Sequence, residues 1–211
     1  MKTILCYGDS NTFGHDPEGK VCRLPYEIRW PGGLQKHLGG EYRVIEEAMC
    51  GRTTVWEDPL MPGRNGLALL PAALESHRPL DLVILALGTN DCKTLFRAAP
   101  HVLRMGMERL VETVRHFDYG AGVPVPQILI LSPIHMGPKI ADSIFGTFDE
   151  SSAAKAEMLA PLYKELAQTC QCGFLDASRY AGPGPDQLHM TAEGHQALAA
   201  AAAAAVREML K

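Results

Sequence analysis

The chain alternates between short, continuously apolar runs and longer stretches in which apolar residues recur with helical period. Runs such as LVILAL and ILIL are typical of parallel strands that are covered on both faces. The predicted strands are residues 3–7, 42–46, 81–87, 127–131 and 173–176. The predicted helices are residues 30–38, 66–77, 100–117, 152–169 and 191–210. This alternation predicts an α/β fold, a three-layer α/β/α sandwich around a five-stranded parallel sheet.

Two stretches lack a clear period, residues 14–29 and residues 133–150. Long connections in compact domains often serve a function, because a surface loop can wall a pocket that the sheet cannot. We therefore expect these two stretches at a pocket rim or at a subunit interface. The alternative is irregular surface structure without a function.

Length and composition limit the class of protein. The 211 residues contain no internal repeat and no Gly-, Ser- or Pro-rich linker, which predicts a single domain over residues 1–211. Hydrophobic residues make up 46% and charged residues 21%, a balance that excludes intrinsic disorder. The net charge of -4 comes without a basic stripe, so we expect no nucleic-acid partner. The longest apolar run, residues 197–206, is about half a bilayer span, so we expect no membrane partner.

The N-terminal residues and the cysteines indicate the cellular compartment of the protein. The opening MKTILCYGDS has too short an apolar stretch for a secretion signal. The cysteines are scattered without a CxxC pair, which predicts neither a structural zinc site nor a thioredoxin-type couple. They are Cys6, Cys22, Cys50, Cys92, Cys170 and Cys172. We expect a reduced, cytoplasmic protein.

Polar residues suited to chemistry follow four of the five predicted strands. They are the segments GDSNT at 8–12, CGRTT at 50–54, GTND at 88–91 and DQLH at 186–189. The carboxyl ends of parallel strands lie at one edge of a sheet, where ligands of open α/β sheets bind. We therefore expect these four segments to converge on one site.

The four segments supply the parts of an acyl-transfer site. Ser10 is the predicted nucleophile, His189 its general base, and Asp186 the carboxylate that orients the imidazole. Ser10 would also donate its backbone N–H to the developing oxyanion. The other predicted oxyanion donors are the backbone N–H of Gly51 and the side-chain amide of Asn90. This chemistry needs no metal and no cofactor.

Four neighbouring residues are candidates for substrate binding: Asn11, Phe13, Arg52 and Asp91. For Arg52 the alternatives are a substrate contact and an ion pair with a carboxylate across the site. For Asp91 the alternatives are a substrate contact and a supporting role in the scaffold. Aromatic residues are more often part of a core, and this alternative applies to Phe13, Tyr26 and Trp30.

Each catalytic assignment has a rival. Ser132 also ends a predicted strand, but Pro133 follows it and offers no backbone donor for an oxyanion. His195 lies only six residues after His189, inside the last predicted helix, where a packing role is expected. Asp9 adjoins Ser10, and we expect it to bond neighbouring backbone. No GxSxG surrounds any serine, which disfavours the α/β-hydrolase elbow.

In this order the segments GDSNT, the glycine of GRTT, GTND and DxxH resemble the four blocks of the SGNH (GDSL) hydrolase superfamily. The stretch RWPGGLQKHLGGEYRVIEEAMCGRTT resembles its bacterial arylesterase and perhydrolase branch. The resemblance implies a flavodoxin-like sheet and hydrolysis of small acyl esters without a metal. It also implies acyl transfer to alcohols or peroxide, and homo-oligomers.

The chain departs from this branch at two positions, because relatives often carry leucine and tryptophan where it has Asn11 and Phe13. The resemblance therefore does not define the acyl-chain preference or the efficiency of transfer. Two other substrate classes use the same chemistry, acylated carbohydrates and thioesters. Two readings without catalysis are a flavodoxin-like binding module, for instance for FMN, and an assembly protein with a vestigial site.

Overall fold

The computed structural model describes all 211 residues and has one five-stranded parallel sheet with the strand order β2-β1-β3-β4-β5. The strands are β1 (Lys2–Gly8), β2 (Tyr42–Ala48), β3 (Leu82–Ala86), β4 (Gln127–Ser132) and β5 (Gly173–Asp176). This is the order of flavodoxin-like folds, so the predicted architecture is confirmed.

All five predicted helices are present, with bounds that differ by up to two residues at either end. They are α2 (Trp30–Leu38), α3 (Gly66–His77), α4 (Pro100–His116), α5 (Glu150–Thr169) and α6 (Ala192–Met209). The sequence analysis missed one helix, α1 (Ser10–Phe13), because four residues carry no periodic signal. None of the helices has the length and apolarity needed to cross a membrane.

Successive residues of the central strands enter two separate cores. Leu5, Val83 and Leu85 pack with helices α3, α4 and α5, whereas Ile4 and Ile84 pack with α2 and α6. Each strand is thus apolar on both faces, which explains the continuous apolar runs in the sequence. The result is the predicted three-layer sandwich.

The topology places a crevice at the carboxyl edge of the sheet. Strand β1 pairs with β2 on one side and with β3 on the other, so the chain reverses its winding direction between β1 and β3. Open α/β sheets bind ligands at this kind of switch point. GDSNT follows β1 and GTND follows β3, so both segments lie at the crevice.

A buried ion pair joins two of the connections at this edge. Lys93 Nζ lies 2.6 Å from Asp58 Oδ2, and the two side chains are only 6% and 1% exposed. Asp58 also accepts a hydrogen bond from the backbone N–H of Leu60 at 2.9 Å. The pair fixes the long connection after β2 against the turn after β3.

Replacing Lys93 with methionine should lower the free energy of unfolding by about 3 to 5 kcal/mol, because it leaves the carboxylate of Asp58 buried without its cation. The measurement is urea-induced unfolding followed by circular dichroism. Lys2→Met is the matched control, because it breaks the exposed pair Lys2–Asp81, whose side chains are 51% and 31% exposed. That control should cost at most about 1 kcal/mol. Equal losses in both variants would contradict a stabilising role for the buried pair.

Candidate active site

The first strand ends in a tight turn that presents Ser10. The Asp9 side chain accepts a hydrogen bond from the backbone N–H of Asn11 at 2.9 Å and thereby caps α1. Gly14 ends α1 in the left-handed conformation, with φ 81°. A Cβ at Gly8 would lie 2.0 Å from Thr12 Oγ1, so only glycine lets α1 fold back onto the end of β1. Ser10 is therefore held at the carboxyl end of the strand.

Ser10, His189 and Asp186 form a continuous hydrogen-bonded chain. Ser10 Oγ lies 2.8 Å from His189 Nε2, and His189 Nδ1 lies 2.6 Å from Asp186 Oδ2. In this arrangement the serine hydroxyl donates to Nε2, and Nδ1–H donates to the carboxylate. The structure thus brings the three predicted triad residues together across 179 positions of sequence, from 10 to 189.

The loop that carries the carboxylate and the imidazole is fixed by two sets of bonds. Asp186 Oδ1 accepts the backbone N–H groups of Leu188 and His189, at 3.0 and 2.9 Å. Asn11 accepts the backbone N–H of Met190 at 2.9 Å and donates to the carbonyl of Leu188 at 3.4 Å. Asn11, a predicted substrate-binding residue, therefore ties the serine turn to the histidine loop.

Hydrogen bonds also set the charge of Asp186. Burial raises the pKa of this carboxyl, but the hydrogen bonds from the His189 side chain and from the backbone of His189 and Leu188 outweigh it. The net pKa of Asp186 lies below its ordinary value. Asp186 is thus ionised at neutral pH and can stabilise an imidazolium at His189.

Two predicted oxyanion donors, on the segments that follow β1 and β2, have no acceptor within the protein. The backbone N–H groups of Ser10 and Gly51 make no hydrogen bond to any protein group. Gly51 has φ 81°, a conformation that favours glycine. The Asn90 side-chain amide donates to the carbonyl of Arg52 at 3.1 Å, which fixes its orientation and leaves its second N–H. The three predicted oxyanion donors therefore lie on the segments that meet at the crevice.

The expectation that Arg52 contacts substrate is corrected by its burial. The Arg52 side chain is 3% exposed and donates to the backbone carbonyls of Gly8 and Glu47, at 3.1 and 2.6 Å. Its guanidinium also lies 4.1 Å from the centroid of the Tyr7 ring. Arg52 Nη2 lies 4.0 Å from Glu47 Oε2, an ion pair with a carboxylate as in the stated alternative. Arg52 therefore holds the loop that carries Gly51 to the end of β1.

The expectation for Asp91 is corrected in the same way. Asp91 is fully buried and accepts hydrogen bonds from the backbone N–H of Thr54, at 3.0 Å, and from the Thr54 hydroxyl. Burial raises the pKa of Asp91 to about 6, and it does the same for Asp9. Asp91 links the segments CGRTT and GTND, a supporting role with no substrate contact.

The aromatic candidates lie at the edge of the site or in the core. The half-buried ring of Phe13 packs under the Arg23 guanidinium, 4.2 Å from its centroid, and Arg23 Nε donates to the Phe13 carbonyl. Tyr26 is 39% exposed, with the Arg29 guanidinium over its ring. Trp30 is 1% exposed and donates its indole N–H to Thr12 Oγ1 at 3.3 Å. Trp30 is therefore a core residue that braces α1.

The rivals of the triad residues are engaged elsewhere. Ser132 Oγ lies 3.1 Å from Asp176 Oδ1. His195 is fully buried, and its Nδ1 accepts the backbone N–H of Trp30 at 3.2 Å. Burial lowers the pKa of His195 to about 4. Neither side chain bonds a member of the Ser10–His189–Asp186 chain.

Two residues that the sequence analysis missed pack against the His189 ring. His15 lies with its ring centroid 4.2 Å away at an interplanar angle of 40°, and Phe145 lies 5.4 Å away in an edge-on contact. Both come from the irregular stretches, residues 14–29 and 133–150, where the sequence has no period that would assign a direction to a side chain. The stretches do wall the site, one of the two roles expected of them.

A groove of about 600 Å³ opens beside Asp186. Its polar lining comes from both irregular stretches and from the histidine loop. The principal side chains are Glu18, Lys20, Lys139, Asp142, Ser143 and Gln187. The carbonyl of Gln187 accepts the N–H of Gly137 at 2.8 Å, which fixes the histidine loop to residues 133–150.

The chain matches the model of the GDSL-like lipase/acylhydrolase family over residues 6–197. Among solved structures, a carbohydrate acetylesterase family member from Sinorhizobium meliloti is 40% identical, with TM-score 0.92 and coverage of 100% of this chain and 99% of the other. The M. smegmatis aryl esterase is 38% identical, with TM-score 0.92 and coverage of 99% and 100%. Est24, a carbohydrate acetylesterase from Sinorhizobium meliloti, is 37% identical, with TM-score 0.91 and coverage of 99% and 100%.

No curated protein matches the chain. The family match covers most of its length, and the structural neighbours are similar in sequence as well as in fold. These neighbours are ester-hydrolysing enzymes, and the four segments of the SGNH pattern converge in this chain at the carboxyl edge of its sheet. The chain belongs to the GDSL-like lipase/acylhydrolase family and is an ester hydrolase of the SGNH type.

Proposed function

We propose that the protein hydrolyses esters of small acyl groups through an acyl-enzyme on Ser10. The observation that carries this proposal is the Ser10–His189–Asp186 chain, with links of 2.8 and 2.6 Å, together with the backbone N–H groups of Ser10 and Gly51, which have no protein acceptor. The hydrogen-bonded chain activates the Ser10 hydroxyl as a nucleophile, and the two backbone N–H groups receive the negative charge that its attack creates on the carbonyl oxygen.

The reaction follows from the positions of the protons. Ser10 Oγ attacks the ester carbonyl carbon while His189 Nε2 takes its proton, and the carbonyl oxygen becomes an oxyanion. The tetrahedral intermediate collapses as Nε2 gives the proton to the leaving alcohol, which leaves the acyl group on Ser10. Water then attacks the acyl carbon while His189 takes its proton. The carboxylic acid leaves as His189 returns the proton to Ser10 Oγ. Asp186 keeps Nδ1 protonated throughout.

Replacing Asn90 with alanine should lower kcat by about 10²- to 10³-fold, because one of the three oxyanion donors is lost. The isosteric Asn90→Asp should lower it at least as far, since a carboxylate presents negative charge where the oxyanion forms. Steady-state kinetics with p-nitrophenyl acetate measures both effects, and circular dichroism checks the fold. Full activity in Asn90→Asp would remove Asn90 from the oxyanion site.

Acyl transfer is the finer part of the proposal. An alcohol or hydrogen peroxide that enters in place of water can be deprotonated by His189 in the same way and would yield a new ester or a peracid. The test is p-nitrophenyl acetate turnover in the presence of a short alcohol, with the acetate ester and free acetate both quantified. Free acetate as the sole product at every alcohol concentration would reject acyl transfer to alcohols.

We propose acetylated carbohydrates as a second candidate substrate, because seven of the ten residues that line the groove beside Asp186 carry polar or charged side chains. Sugar hydroxyls need several hydrogen-bonding partners, and Lys139 and Gln187 at the groove offer them. Lys139→Ala should raise KM for an acetylated sugar and leave p-nitrophenyl acetate kinetics unchanged, whereas the exposed Lys164→Ala should change neither. Equal effects of Lys139→Ala on both substrates would contradict this candidate.

The oligomeric state belongs to the proposal as well. We infer a homo-oligomer from the resemblance to the arylesterase branch, and Ile144, which is 91% exposed on the wall of the site, supports it. Light scattering on the eluting protein tests it, and a monomeric mass at micromolar concentration would reject it. We also propose that the protein is cytoplasmic, that its partner is a small-molecule ester, and that it has no nucleic-acid partner.

A further inference from the structure

The His15 imidazole takes no part in the mechanism above, yet it lies against the residues that do. One ring nitrogen of His15, one of His189 and a carboxylate oxygen of Asp186 all lie within 4.8 Å of one another. Two imidazoles and a carboxylate are the donor set that suits Zn²⁺ and similar transition-metal cations. The proposed ester hydrolysis needs no metal, so such a site would have a different role.

Bonds outside the cluster fix the backbone of His15 and the side chains of Asp186 and His189. The backbone N–H of His15 donates to the Ser10 carbonyl at 3.0 Å, directly after α1. Asp186 Oδ1 is held by two backbone N–H groups, which leaves Oδ2 directed at His189. Oriented donors of this kind lower the cost of assembling a metal site.

The geometry needs only a small adjustment. With Zn–N and Zn–O distances of about 2.0 to 2.2 Å, ligand atoms of a tetrahedral site lie about 3.3 Å apart. The widest pair in the cluster is at most 4.8 Å apart, and His15 is half-buried on a connection outside any helix or strand. Rotation of the His15 side chain can therefore close the remaining gap.

We propose that His15, His189 and Asp186 form an inhibitory binding site for one divalent transition-metal cation, with Zn²⁺ the best-matched ion. Binding stops catalysis whichever His189 nitrogen is taken. A metal on Nε2 displaces the Ser10 hydroxyl, and a metal on Nδ1 displaces the proton shared with Asp186. A chelator restores activity, because no covalent bond of the protein is broken.

The inhibition rests on the proposed function, whereas the binding does not, so binding is measured first on the Ser10→Ala protein by calorimetric titration with ZnCl₂. One ion should bind per chain. His15→Phe, which keeps an aromatic ring against His189, should weaken binding at least tenfold, and His189→Phe should abolish it. His101→Phe, on an exposed histidine, and Cys22→Ser, on an exposed thiol, should leave binding intact. Binding lost in Cys22→Ser, or unchanged in His15→Phe, would overturn the site.

The second arm measures p-nitrophenyl acetate hydrolysis by the chain with Ser10 intact, each protein compared with its own rate in chelator. ZnCl₂ should inhibit it, EDTA should reverse the inhibition, and MgCl₂ at the same concentration should have no effect, since Mg²⁺ prefers oxygen ligands. In His15→Phe the half-inhibiting ZnCl₂ concentration should rise at least tenfold. Zinc binding without any esterase activity would refute the proposed function and keep the site. Full activity with zinc bound would refute the inhibition.

Discussion

Replacing Ser10 with alanine should lower kcat for p-nitrophenyl acetate by about 10⁴- to 10⁶-fold, because the acyl-enzyme can no longer form. The stability of the fold should change little, since Ser10 lies at the end of a strand and its hydroxyl bonds only His189. Steady-state kinetics with circular dichroism as the fold check measures this.

Ser132→Ala is the matched control, because Ser132 also ends a strand of the same sheet but bonds Asp176 instead of a histidine. We expect it to keep activity within a few-fold of the unmodified protein. A large loss of activity in Ser132→Ala together with an active Ser10→Ala would identify Ser132, and not Ser10, as the nucleophile.

Replacing Asp186 with asparagine should lower kcat by about 10⁴-fold while preserving the shape of the loop. The asparagine carbonyl can keep the two backbone bonds that Asp186 Oδ1 accepts. Its amide NH₂ then faces His189 Nδ1 and makes this nitrogen an acceptor. The imidazole proton therefore moves to Nε2, the nitrogen that must accept the Ser10 proton. In this tautomer His189 cannot act as the general base.

The control for this variant is Asp118→Asn, an exposed carboxylate beyond helix α4, which should leave kinetics unchanged. The kinetic pattern separates a tautomer effect from misfolding, because the former lowers kcat with KM largely unaltered. An Asp186→Asn protein with more than a tenth of normal kcat would show that the carboxylate does not orient the base.

The fold and the triad could be predicted because both follow from local signals. Continuously apolar runs define buried parallel strands, and the residues directly after those strands must lie at one edge of the sheet. Ser10 lies two residues after the end of β1 and Asn90 four residues after the end of the neighbouring β3, so the topology brings the two segments to the same edge of the sheet. The short spacing between Asp186 and His189 allowed one turn of loop to join them.

The supporting residues could not be predicted, because a loop side chain can point in several directions and tertiary contacts select one. Arg52 has the composition of a substrate-binding residue, yet its guanidinium turns inward to backbone carbonyls. His15 and Phe145 meet at His189 although 130 positions, 15 to 145, separate them along the chain. Neither stretch has a hydrophobic period that would predict such a contact.

The most direct test of the account is covalent labelling with a fluorophosphonate, followed by mass spectrometry of the digested protein. The account predicts one adduct per chain, on the peptide that contains Ser10, with no labelling of Ser10→Ala and strongly slowed labelling of Asp186→Asn. An adduct on another serine, or no adduct on a folded protein, would contradict Ser10 as the nucleophile.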